Sequence, residues 1–252
     1  MTSSQKMFLF ILLSSGLMAG CGAVFVNEGS KNAYLAEGLR NPDKPPRPEL
    51  SRASRLVGDF EDGTANMNPK LYSSGDGGWI ATNGANLLSV FTAPGGANGT
   101  QKAAHLAGTI EDMGDFTYPS IVLQGKFHPQ GNYDAALFNG IRFYYKCPQA
   151  DKAHRRRFAI AIAPTVSTAE GGTCLDQCGN HFGANLDPAQ DWVQLSFKFG
   201  DLAREQGWGS SVNPPGLADH LAEFMYIKWE HGANNVKGTF AMDYWVDEVE
   251  FF

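Results

Sequence analysis

The end of the chain, Gly238–Phe252 (GTFAMDYWVDEVEFF), restricts the fold more than any other stretch. Phe240, Met242, Tyr244 and Val246 alternate with small or polar residues, the period-2 pattern of a strand with one buried face. The next apolar positions are Val249 and Phe251, so the phase slips by one residue. Such a slip turns the wrong face inward unless an extra residue is accommodated, which predicts a β-bulge near Asp247–Glu248. A long apolar strand left at a free edge would aggregate. The closing strand is therefore expected in the middle of a sheet.

The rest of the chain agrees with an all-β reading. Among 252 residues there are 29 glycines, 12% aromatics and only 18% charged residues, a balance that favours a strand-rich extracytoplasmic protein. The net charge of −6 argues against nucleic acid as a partner, since phosphate binding needs a basic stripe. The basic cluster Lys152–Arg157 (KAHRRR) lies between two strand-like runs and is expected to be a solvated hairpin tip. Strands are expected at Leu56–Phe60, Ala103–Thr109, Ser120–Leu123, Gly140–Tyr145, Arg157–Ala163, Trp192–Phe199, Phe224–Trp229 and Thr239–Phe251, with a short helical turn at Leu217–Ala222. Short strands with glycine-rich turns build a sandwich or a closed barrel. The excess length sits in two long loops, Asn66–Gly99 and Pro164–Gln190.

The N-terminus reads as an export signal over residues 1–20. Lys6 supplies the positive region, and Met7–Met18 is an apolar core too short to span a membrane. Ala19-Gly20-Cys21 resembles a bacterial lipoprotein lipobox, with Met18 in place of the usual leucine. That resemblance implies that Cys21 becomes the acylated (palmitate-bearing) N-terminus. Several acyl chains on one cysteine give a stable anchor, at about 0.8 kcal/mol per buried CH₂. Gly22 rather than Asp after the cysteine resembles cargo sorted to the outer membrane. Residues 21–55, with the proline cluster Asn41–Pro48, read as an extended tether, and the folded domain is expected over 56–252.

Within 56–252 several segments resemble, in order, the galactose-binding-like jelly-roll β-sandwiches of carbohydrate-binding module family 11 and its relatives. They are Asp59-Phe60-Glu61-Asp62-Gly63 followed by Trp79, Asn139–Tyr144 (NGIRFY), Trp192–Phe197 (WVQLSF) and the closing Thr239-Phe240…Val246–Phe251. The loop Gly171–Phe182 and Gly207-Trp208-Gly209 resemble a lipoprotein-rich bacterial subset of the same superfamily. The resemblance implies a jelly-roll β-sandwich that binds glycan non-catalytically on its concave face. It also implies a structural Ca²⁺ held by carboxylates near the opening motif, for which Asp59, Glu61 and Asp247 are the candidates, with Asp62 and Glu248 beside them.

Sugars present C–H faces that stack on aromatic rings, and hydroxyls that need planar polar partners. On Gly140–Lys146, Ile141, Phe143 and Tyr145 share one face, and Arg142, Tyr144 and Lys146 the other. The second set forms a candidate binding strip, joined by Asp243 and Trp245 from the closing strand and rimmed by His181 and Trp208 from loops. The alternative is that Arg142 pairs structurally with Asp243 and the protein is a structural or protein-interaction lipoprotein. Trp192 and Trp229 are expected in or near the core. Cys147, Cys174 and Cys178 remain after Cys21. In an oxidising compartment Cys174–Cys178 is the favoured disulfide, with Cys147 reduced and buried; Cys174, Cys178 and His181 also have a zinc-like spacing. No nucleophile elbow, HExxH or phosphate loop is present, and the six histidines are scattered. The protein is therefore expected not to be an enzyme; a polysaccharide lyase using Tyr144, His181 and Arg142 is the catalytic alternative.

Overall fold

The computed structural model describes residues 55–63, 78–83, 86–88, 91–114, 119–127, 132–148, 154–209 and 216–252. The expected signal peptide, Cys21 and all of the expected tether except Arg55 lie outside them. The described strands are β1 (Leu56–Gly58), β2 (Gly78–Asn83), β3 (Asn86–Leu88), β4 (Phe91–Pro94), β5 (Lys102–Asp112), β6 (Ser120–Lys126), β7 (Gly140–Cys147), β8 (His154–Ile162), β9 (Phe182–Asn185), β10 (Ala189–Lys198), β11 (Phe224–Ala233) and β12 (Gly238–Phe251). They form two antiparallel sheets, one ordered β10-β7-β12-β5-β4 with β1 added to β12, the other ordered β3-β2-β6-β11-β8-β9. The result is an all-β jelly-roll sandwich.

β12 occupies the centre of the first sheet, between β5 and β7. Its register against β7 shifts between Asp247 and Glu250, and Glu248 takes the left-handed backbone conformation (φ 47°). This is the bulge that the apolar phase slip requires. Met242, Tyr244 and Val246 lie in the core before it, and Val249 and Phe251 after it. The start of the domain closes against the end, because β1 pairs with β12 at Leu56↔Glu250 and Gly58↔Val249.

The core between the sheets is aromatic. Trp79 from β2 packs on Phe60 and Trp229 at centroid distances of 5.0 and 5.9 Å. Two glycines make room for it: a Cβ on Gly58 would lie 2.9 Å from Trp79 Nε1, and one on Gly125 2.7 Å from its ring. Phe143, Phe158 and Trp229 continue the cluster, and Phe127, Phe138, Phe199, Phe224 and Phe251 fill the far end. Each such side chain contributes roughly 1.5–3 kcal/mol by leaving water. One part of the interior is polar. Buried His231 stacks on Tyr244 at 3.8 Å, and its Nε2 lies 3.0 Å from Tyr145 Oη. Burial, and then the Arg156 charge, hold His231 well below the usual histidine range.

Several expectations need correction. The Asn66–Gly99 loop contains β2, β3 and β4, and Pro164–Gln190 contains β9. Leu217–Ala222 forms two 3₁₀ turns, Leu217–Asp219 and Leu221–Glu223. The basic cluster is no hairpin tip from His154 onward, because β8 begins there and pairs along its length with β11. Trp229 is fully buried as expected, but Trp192 is half-buried on the outside of its sheet, against Trp245.

Candidate functional site

The outer face of the β10-β7-β12-β5 sheet carries five of the sequence-selected residues. Alternation on β7 places Arg142, Tyr144 and Lys146 there, and Asp243 and Trp245 join them from β12, with Trp245 opposite Lys146 in register. These side chains engage their neighbours. Trp245 stacks on His105 at a centroid distance of 3.7 Å, with Lys146 Nζ 5.8 Å from its ring and Trp192 edge-on at 6.4 Å. His105 Nε2 lies 2.7 Å from Asp243 Oδ1. The Arg142 guanidinium pairs across the strands with Glu250, not with Asp243. The strip is thus a half-buried platform tied together by its own side chains.

His181 and Trp208 do not rim this platform. β9 begins directly after His181 and pairs with β8 (Phe182↔Ile160), which draws their loops to the other sheet. His181 is buried, its Nδ1 2.8 Å from Thr165 Oγ1 and its Nε2 2.9 Å from Tyr226 Oη. Burial holds its imidazole well below the usual range, and the charges of Lys228, Arg157 and Arg204 push the same way. It supports a wall and is not a residue that a ligand meets on an open face.

That wall belongs to a groove of about 800 Å³ on the outer face of the β8–β11 sheet. Alternation on β8 turns Arg155, Arg157 and Ala159 outward, and alternation on β11 turns Lys228 and Glu230 outward, with Glu230 opposite Arg157 and Lys228 opposite Ala159. Glu230 receives Lys228 Nζ at 2.6 Å and Arg155 Nη1 at 3.3 Å. Those cations hold its carboxyl below the usual range although burial opposes it. Arg155 Nη2 reaches Glu205 at 2.7 Å, and Arg157 Nη2 donates to the carbonyls of Ala203 and His181 at 2.8 and 3.2 Å.

The Glu205–Gly209 turn closes one side. Buried Asn180 stitches it down: its Nδ2 donates to the Glu205 and Trp208 carbonyls at 2.8 and 2.7 Å, and its Oδ1 accepts Glu205 N–H at 2.9 Å. Gly207 and Gly209 both take positive φ (87° and 100°), and a Cβ on Gly209 would fall 2.7 Å from Asn180. The turn so held presents Trp208, 47% exposed, at the groove, with Nε1 bonded to Glu205 Oε2 at 3.0 Å. Asn185 and Asn234 add planar amides. Sequence reasoning selected Trp208 but not Arg155, Arg157, Lys228, Glu230 or Glu205. The Lys228/Glu230 alternation with buried Ile227 and Trp229 was the signal available for two of them.

The carboxylates expected to hold calcium gather on the loop between β4 and β5. Glu61 Oε1 accepts Gln101 and Lys102 N–H, both at 2.7 Å, and Asp59 Oδ1 accepts Glu61 N–H at 3.3 Å. Asp247 Oδ2 accepts Ala97 N–H at 2.8 Å and the Thr100 hydroxyl at 2.6 Å, and its Oδ1 accepts Glu248 N–H at 2.7 Å. Burial pushes Asp247 up to about 6. Backbone and hydroxyl donors thus occupy one oxygen each of Asp59 and Glu61 and both oxygens of Asp247. Among the described residues no group of three or more His, Cys, Asp or Glu side chains is arranged to hold a metal ion.

Cys174 and Cys178 form a disulfide with a Cα–Cα distance of 5.7 Å, while Cys147 is buried at the end of β7. The pairing removes the zinc reading, since disulfide sulfurs are not thiolate ligands.

No family model matches the chain, and no curated protein matches it. Solved structures do. The chain is similar to the family 11 carbohydrate-binding module of the cellulosomal cellulase Lic26A-Cel5E of Clostridium thermocellum, at 17% identity and a TM-score of 0.45, covering 79% of this chain and 94% of that one. It is similar to the Caldicellulosiruptor saccharolyticus module CBM27-1, solved in complex with mannohexaose, at 10% identity and a TM-score of 0.40, covering 77% and 94%. A third similar structure is the K3 adhesin domain of the Porphyromonas gingivalis Lys-gingipain, at 14% identity and a TM-score of 0.37, covering 78% and 98%.

Proposed function

We propose that this protein is a lipid-anchored cell-envelope protein that binds glycan, without catalysis, in the groove on the β8–β11 sheet. The observation that carries the reading is Trp208: an indole half open to solvent, its edge fixed by Glu205, beside Arg, Lys, Glu and Asn side chains in a groove of about 800 Å³. A sugar face stacks on a ring held in this way, and the planar polar groups answer its hydroxyls. A cleft that combines apolar surface with a few convergent polar groups is the usual form of a small-ligand site. The motif resemblance to carbohydrate-binding modules supports glycan binding, although its Asn139–Tyr144, Trp192–Phe197 and closing-strand motifs lie on the other sheet. The opposite platform around Trp245 suits a ligand less, because His105 already stacks on that half-buried ring at 3.7 Å, whereas Trp208 is half open to solvent.

Acylation at Cys21 would hold the domain at the membrane through the 21–55 tether, and the Gly22 resemblance favours the outer membrane. Affinity electrophoresis of the detergent-solubilised protein across a panel of polysaccharides tests the binding. At least one glycan is expected to retard it, with retardation lost in Trp208→Ala; no retardation by any glycan would leave a structural or protein-interaction role.

A further inference from the structure

The groove is basic on an acidic protein. Three cations project into it, Arg155, Arg157 and Lys228, against two acids, Glu205 and Glu230, while the whole chain carries −6. The hydrogen bonds sharpen the imbalance. Glu230 spends one oxygen on Arg155 and the other on Lys228. Glu205 Oε2 is shared by Arg155 and Trp208, and its Oε1 lies 3.7 Å from Arg157 Nη1. Both carboxylates are therefore committed as acceptors.

The donors are not exhausted in the same way. The Lys228 ammonium has three protons, and the bond to Glu230 uses one. Both bonds made by Arg157 come from Nη2, so Nη1 meets only the distant Glu205 oxygen. Lys228 and Arg157 stand on adjacent strands, and Asn185 lies opposite Arg157 in register on β9, where it offers a further NH₂. A neutral sugar asks for acceptors about as often as donors. This floor offers mainly donors with positive charge behind them.

Resting on the glycan-binding reading, we infer that the groove selects an acidic glycan, whose carboxylate or sulfate group is held by Lys228 and Arg157 while the sugar ring stacks on Trp208. The match is also one of geometry, because guanidinium and ammonium donors meet carboxylate or sulfate oxygens in short charge-assisted bonds.

The test uses the full-length protein in detergent and four probes in titration calorimetry: a polyuronate, its carboxyl-reduced neutral counterpart with the same linkages, a sulfated galactan and a neutral β-glucan. A charged polymer is expected to bind, with the polyuronate and the sulfated galactan separating carboxylate from sulfate. The carboxyl-reduced polymer is expected to bind at least ~10-fold more weakly than the polyuronate if carboxylate is the group. Raising salt from about 0.05 to about 0.3 M should weaken binding several-fold, because the charged polymer and the partly exposed Lys228 are screened by counterions. Lys228→Gln should weaken it about 10-fold; the polymer comparison and the salt series need no variant to fold. Equal binding of neutral and charged polymers, lost in Trp208→Ala and insensitive to salt, would overturn the acidic-glycan inference and leave glycan binding standing. Binding to none of the probes would overturn the inference, and the wider polysaccharide panel then decides the glycan reading separately.

Discussion

Trp208 Nε1 and Arg155 Nη2 converge on one atom, Glu205 Oε2, at 3.0 and 2.7 Å. The exposed aromatic of a loop is thereby tied to the cationic row of a strand. Glu205→Gln keeps an oxygen but removes the charge, leaving Arg155 to Glu230 alone and the indole less firmly held. Glycan affinity is expected to fall about 3- to 10-fold with little change in melting temperature, as for surface bonds of about 1 kcal/mol. Calorimetry with a bound glycan and a thermal melt check the two halves. A fall in melting temperature with unchanged affinity would make this bond structural only.

The Cys174–Cys178 disulfide closes a short loop whose following residues, Gly179, Asn180 and His181, line the groove. Closing so short a loop adds only about 1–2 kcal/mol. Its larger consequence is the position of Asn180, which stitches down the Trp208 turn. Cys174→Ser with Cys178→Ser should therefore leave a folded protein with weaker glycan binding, measurable by near-ultraviolet circular dichroism and affinity electrophoresis. Undiminished binding in the folded double variant would separate the disulfide from the groove.

Asp247 sets a pH dependence whose sign is fixed. Its folded-state value, raised from 3.8 to about 6 by burial, exceeds the unfolded one, so the native state holds the proton more tightly across that window. Its contribution to stability is fully present below about pH 4 and is lost as pH rises through about 6. In chelator, the melting temperature of Asp247→Asn relative to the unaltered protein should rise between pH 4 and pH 7, because the variant lacks this loss. The comparison also tests calcium: a cation on the carboxylate would lower its value and reverse the slope. The same slope with calcium or with EDTA is expected. A slope that reverses when calcium is added would place an ion at Asp247.

Cys21→Ala should abolish acylation and leave the protein in the soluble extracytoplasmic fraction, since several acyl chains outweigh any surface attraction. Metabolic labelling with a tagged fatty acid and membrane fractionation provide the readout. Label retained in the variant would exclude Cys21 as the acceptor.

The fold was largely legible because burial writes itself into strand periodicity. The one-residue slip after Val246 marked the bulge at Glu248, and the alternation Ile141/Phe143/Tyr145 marked the core face of β7. Strands such as Phe182–Asn185 escaped because four residues with a glycine carry no usable period. The groove was less legible. Its residues come from β8, β11 and the Asn180 and Trp208 loops, brought together only by pairings such as Ile160↔Phe182. The His-Arg-Arg-Arg run looked like a solvated tip, since three successive arginines hide the alternation that turns Arg155 and Arg157 outward and Arg156 inward. Trp208 stood out by its flanking glycines, but nothing local to it named the sheet it serves.

The central claim is that glycan binds at Trp208 and not on the Trp245 platform. Affinity electrophoresis of the full-length protein against its best glycan, comparing Trp208→Ala with Trp245→Ala, separates the two faces. Truncating a tryptophan that anchors a ligand costs about 2 kcal/mol or more, so Trp208→Ala should lower affinity at least ~30-fold and leave the melting temperature unchanged. Trp245→Ala should keep full affinity while losing some stability with its His105 stack. Binding that survives Trp208→Ala and disappears in a folded Trp245→Ala would contradict the account and move the site to the opposite sheet.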